Sequence, residues 1–104
     1  MKDLSIINEE IDRLVQIKNK IYFEPGPHKE YIEEVEPAIV TLYDAKNIIQ
    51  NNTVSDAIKV INDKIKHLTE AVDKINNGPF RIELSRHRLE LYNEINFWEW
   101  ILEI

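Results

Sequence analysis

Residues 53–78 read TVSDAIKVINDKIKHLTEAVDKINNG. Within them Val54, Ile58, Ile61, Ile65, Leu68, Val72 and Ile75 recur at spacings of 4, 3, 4, 3, 4 and 3. A repeat between three and four places all seven on one face of an α-helix. A strict heptad seam of this kind predicts left-handed packing at about 20° against a neighbouring helix. Ile58, Ile61, Ile65, Leu68 and Val72 are therefore the expected core of that contact. Thr53 followed by Asp56 resembles a capping box with Asp in place of Glu, and Ser55 is the rival cap. Gly78, suited to a left-handed cap, and Pro79 stop the helix.

The same period extends outward in both directions. From about Asp3 to Tyr22 the seam is Leu4, Ile7, Ile11, Leu14 and Ile21, with Lys18 in the vacant slot. Phe23-Glu24-Pro25-Gly26-Pro27 cannot continue a helix. From about His28 to Gln50 the seam is Ile32, Val35, Ile39, Leu42 and Ile49, with Lys46 among them. Pro37 lies inside this segment. It lacks an N–H, and its ring would crowd the carbonyl of Glu33, so a break or kink is expected there. Beyond Gly78, the stretch from Pro79 to Ile104 carries Leu84, Leu91, Ile95, Trp98 and Leu102, with Arg88 in the remaining slot. Phe80, Ile82 and Leu84 also alternate with polar residues as a short strand would. A lone strand leaves its edges unpaired, so a helix starting at Pro79 is preferred. The expectation is an all-α fold: one domain over 1–104, an up-down antiparallel bundle of about four helices, the second broken or kinked at Pro37. Folding the last two segments about Gly78 brings Glu70 and Asp73 to the end that carries Arg81 and Arg86.

Composition narrows the function classes. The 104 residues contain no Cys, which excludes disulfides, thiolate metal sites and cysteine nucleophiles. The net charge of −6 lacks the basic face that nucleic-acid binding or adhesion to an anionic membrane requires. It suits a basic protein partner. No apolar run matches a signal-peptide core or a membrane span, so a cytoplasmic protein is expected. The frequent Ile, Asn and Lys suggest AT-rich coding, as in a low-GC bacterium or its phages.

Three catalytic arrangements can be compared with the residues. Glu33-Glu34-Val35-Glu36 and Glu70-Ala71-Val72-Asp73 resemble the paired acidic motifs of the MazG-like nucleotide pyrophosphohydrolases. That resemblance implies a helical enzyme holding magnesium against phosphates. Pro37 directly follows the first pair, the gap to the second is longer than the family pattern, and Glu70 lies opposite the seam. Arg81 and His87 have the spacing of the Arg and His of HEPN ribonucleases, but Ile82 stands where a polar residue is usual. Asp63, His67 and Glu70 line one helix face with His87 expected nearby, yet on the outer side, whereas bundle metal sites project inward. No catalytic, cofactor or metal residue is therefore expected.

Two surfaces stand out instead. Phe97-Trp98-Glu99-Trp100-Ile101-Leu102-Glu103-Ile104 is apolar over an arc of about 200° at about 100° per residue. One neighbour covers about half of that, so this end is expected either to be wedged between the first two segments inside the bundle or to meet another chain. Trp98 continues the seam, which leaves Phe97, Trp100, Ile101 and Ile104 as candidates for binding a partner or a second copy. Glu30, Glu33, Glu34 and Glu36 form an acidic cluster that would suit a basic partner. The expected function is a non-enzymatic protein-interaction module, exemplified by a small phage or mobile-element protein that binds and inhibits or modulates a host protein. The alternatives are the magnesium nucleotide enzyme and an assembly subunit.

Overall fold

The computed structural model describes residues 1–23 and 29–103, with the side chains of all but 21–23 and 29–33. Among the described residues there are four helices and no strands: α1 (Leu4–Phe23), α2 (Lys29–Asn51), α3 (Val54–Asn77) and α4 (Ile82–Leu102). The fold is the all-α bundle that the heptad spacing predicts. No described helix is long and apolar enough to cross a membrane. The seam residues Ile21 and Ile32 and the connection through Pro25, Gly26 and Pro27 lie outside what is described.

Local chemistry sets each boundary. The Ile6 N–H donates to the Asp3 carboxylate at 3.1 Å, which caps α1. Thr53 is the cap of α3, its hydroxyl accepting from the Asp56 N–H at 3.2 Å. At the other end the Gly78 N–H donates to the Ile75 carbonyl at 3.3 Å. Gly78 has φ −92° and ψ 178°, extended and not left-handed as a cap there would suggest. Space explains the glycine better: a Cβ would sit 3.2 Å from the Lys74 carbonyl oxygen. The next helix starts at Ile82, three residues later than expected. Arg81 precedes it in extended backbone and caps it with no side-chain bond. Of the alternating Phe80, Ile82 and Leu84, the last two are helical and only Phe80 lies in the connection.

Of the break or kink expected at Pro37, the break does not occur, since α2 runs through it from Lys29 to Asn51. Pro37 is exposed. The proline has no N–H to give the Glu33 carbonyl, so the helix carries on with one bond fewer. One turn on, the Thr41 hydroxyl donates to the Pro37 carbonyl at 3.0 Å.

The helices associate as two hairpins, α1 with α2 and α3 with α4, joined chiefly through α2 against α4 and α3. The principal core lies at that junction. Ile7, Ile11 and Leu14 of α1 meet Val35, Ala38, Leu42 and Ala45 of α2, and Ile61, Trp98 and Ile101 close it from the other hairpin. The chain ends tie in here, with the Lys2 N–H donating to the Ile101 carbonyl at 2.7 Å. A second core of Val72, Leu91 and Ile95, flanked by Ile65, Leu68, Ala71 and Ile75, draws only on α3 and α4.

Two cross-helix contacts fix the α3/α4 register. Arg88 donates to the Asn76 side-chain oxygen at 3.0 Å, and Lys64 Nζ lies 5.5 Å above the Trp98 ring. The pairs descend on one helix as they ascend on the other, so α3 and α4 are antiparallel. The hairpin closes near residues 81–82 and not at Gly78, because Pro79, Phe80 and Arg81 belong to the connection. Glu70 and Asp73 consequently lie level with residues 90–93. The seam is also less buried than expected. Ile61 and Val72 are enclosed, but Ile58, Ile65 and Leu68 are only half-buried, and the small Ala57 takes an enclosed position beside them. A seam packed mainly on one other helix cannot be covered on both flanks.

The molecule is flat, 41 × 41 × 20 Å, with a radius of gyration of 15.4 Å. A packed domain of this length has about 13 Å. The excess arises because the α3/α4 hairpin, with its private core, extends past the junction as a two-helix arm.

Candidate functional site

The arm and the α1/α2 hairpin leave a cleft between them of about 680 Å³. Leu89, Asn93, Asn96, Phe97 and Trp100 of α4 form one wall, while Glu10, Arg13 and Leu14 of α1 with Glu34, Val35 and Ala38 of α2 form the other. Helical geometry explains the first wall. At about 100° per residue, Ile82, Leu89, Asn93, Asn96 and Trp100 fall within about 40° of one direction, with Phe97 about 60° to one side. Leu91, Ile95 and Trp98, which pack on the cores, point the opposite way. α4 is therefore apolar on two opposed faces, and one of these lines the cleft.

Phe97 and Trp100 are both half-buried. Lys2 Nζ lies 4.9 Å from the Trp100 ring centre, which holds the indole at the closed end of the cleft by a cation–π contact. Leu89, towards the open end, is 58% exposed. On the opposite wall Arg13 donates through Nε to the Glu10 carboxylate at 3.0 Å. That hydrogen bond first, and the charge attraction second, hold the guanidinium pKa above its ordinary value against slight burial. Glu34 stands exposed on the same wall. The cleft thus has an aromatic floor, an aliphatic lip, two amide side chains and a paired acid–base rim.

The expected binding residues separate. Phe97, Trp100 and Glu34 converge on the cleft. Ile101 does not: it is wholly buried in the principal core, because its direction, about 100° from Trp100, faces the helix junction. It is a core residue, and the expectation of a surface role for it is corrected. Glu36 pairs with Lys18 at 3.2 Å and so joins α2 to α1. The side chains of Glu30 and Glu33, and Ile104 altogether, lie outside the described residues. Leu89, Asn93 and Asn96 were not singled out from the sequence. Their signal was the second stripe through Ile82, Leu89 and Trp100, overshadowed by the seam on the other face.

The catalytic arrangements fare differently. Arg81 precedes α4 and does not share a helix with His87, as the ribonuclease pattern requires. His67 Nδ1 lies 2.7 Å from the Asp63 carbonyl oxygen, a contact it makes as donor. Among the described residues no three His, Asp or Glu side chains converge as metal ligands would. Compared with known proteins, the chain matches no family model, no curated protein and no solved structure.

Proposed function

We propose that this chain is a protein-interaction module that docks a helical segment of a protein partner in the cleft between α1, α2 and α4. The observation that carries the reading is the second apolar face of α4. The fold uses this face only in part: Phe97 and Trp100 are half-buried against the principal core, while Leu89 on the same side of α4 stays exposed. Exposed apolar surface rimmed by polar groups marks interaction sites. Aromatic side chains at the centre of such a surface carry most of its binding energy. A groove of this shape accepts an amphipathic helix by seating anchors spaced three, four and seven residues apart. The net charge of −6 and Glu34 on the wall favour basic residues flanking those anchors.

The test is affinity capture from the native host with the unmodified chain and with Leu89→Glu in parallel. A protein retained by the first and lost by the second is the expected result. Equal retention would place binding elsewhere. Melting with and without magnesium and nucleotide tests the enzyme alternative. Ligand that binds the folded form raises the midpoint, and no rise is expected.

A further inference from the structure

We infer that residues 1–3 act as a latch that holds the two hairpins at a fixed opening, and so sets the width of the cleft whatever occupies it. Lys2 carries the latch. Its N–H donates to the Ile101 carbonyl at 2.7 Å. Its Nζ donates to the Glu103 carbonyl at 3.4 Å and stands 4.9 Å from the Trp100 ring centre. On one side Met1 packs against the principal core. On the other Asp3 caps α1 through the Ile6 N–H at 3.1 Å. One short stretch thus joins the start of α1 to the end of α4.

Position gives these contacts their leverage. The chain joins the hairpins once, through Asn52 and Thr53 between α2 and α3. Lys2 joins them a second time, between α1 and α4. Among the described residues α1 packs along α2 and only marginally on the other two helices. α1 and α4 therefore face each other across the cleft, with the latch at its closed end beside Trp100. A second fastening fixes an angle that a single hinge leaves adjustable. The arm has its own core in Val72, Leu91 and Ile95, so it turns as one body about the junction. A small rotation there becomes a displacement that grows along the helices towards Ile82. The latch is itself built from exposed, individually weak contacts. It can open without unfolding either hairpin.

The experiment is the distance distribution between spin labels at Gln16→Cys on α1 and Ile82→Cys on α4. Both positions are exposed, and the chain has no native cysteine. The distribution is measured with Lys2 intact and with Lys2→Arg, Lys2→Met and Lys2→Pro, each checked for helix content by circular dichroism. Lys2→Arg keeps the cation, Lys2→Met removes the Nζ contacts, and Lys2→Pro removes the N–H as well. The expected result is one narrow distribution for Lys2 and Lys2→Arg. Lys2→Met should broaden it and move it outward, and Lys2→Pro should do so further, at unchanged helix content. Distributions that stay narrow in both Lys2→Met and Lys2→Pro would mean that the core alone fixes the opening, and would overturn the latch. If Lys2→Pro loses helix, Lys2→Met decides: a broad distribution upholds the latch and a narrow one overturns it. Host capture through Leu89 is read separately, so the latch and the docking site stand or fall independently.

Discussion

At the scale of single residues, burial separates positions that the heptad treats alike. Ile58 and Ile61 occupy neighbouring seam slots, yet Ile61 is wholly enclosed by the principal core and Ile58 is half-buried at its edge. Ile61→Ala should therefore cost about 2–5 kcal/mol, and Ile58→Ala clearly less. Denaturant unfolding of the two variants checks this, and equal losses would contradict the placement of the junction. Thr53→Ala removes the hydroxyl that accepts from the Asp56 N–H and should cost about 1 kcal/mol. Sequence spacing identifies the seam but not which of its members has helices on both flanks, because that depends on how the hairpins meet. The same holds for Ile101, which lies in the apolar arc and turns out to belong to the core.

At the scale of elements, the apolar period located all four helices, and the differences lie at their ends and in the continuity of α2 through Pro37. The start of α4 is displaced to Ile82 because the Gly78–Arg81 connection stays extended, and that displacement alters the register of the whole hairpin. Pro37 interrupts hydrogen bonding without interrupting α2, and its ring is exposed. Its penalty is thus retained in the folded state. A proline inside a helix costs about 3 kcal/mol relative to alanine, so Pro37→Ala should raise stability, by up to about that amount, and raise the melting midpoint. A lowered midpoint would mean that α2 needs the proline's geometry to reach the junction. For α4 the sequence showed an arc too wide for one neighbour, though it placed the surplus at the last residues. In the structure the last residues meet both α3 and α2, with Phe97 and Trp100 packed on the principal core, and the uncovered surplus lies earlier on the helix at Ile82 and Leu89.

At the scale of the whole molecule, two hairpins share one core at their junction, and the α3/α4 arm extends beyond it with an apolar face uncovered. The flat shape and the cleft have this one cause, since helices gathered around a single core would have closed over Leu89 and Trp100. Which hairpin overhangs which is a property of the assembled helices, and no local pattern encodes it. The central claim is that the cleft beside Leu89 serves association, while Phe97 and Trp100 at its floor also pack on the principal core. The most direct measurement is the retention of host protein by the unmodified chain and by Leu89→Glu, beside the melting midpoint of each. The account predicts retention by the unmodified chain alone, with nearly equal midpoints, because Leu89 is 58% exposed. Equal retention by both proteins, or a collapsed Leu89→Glu transition, would contradict the account.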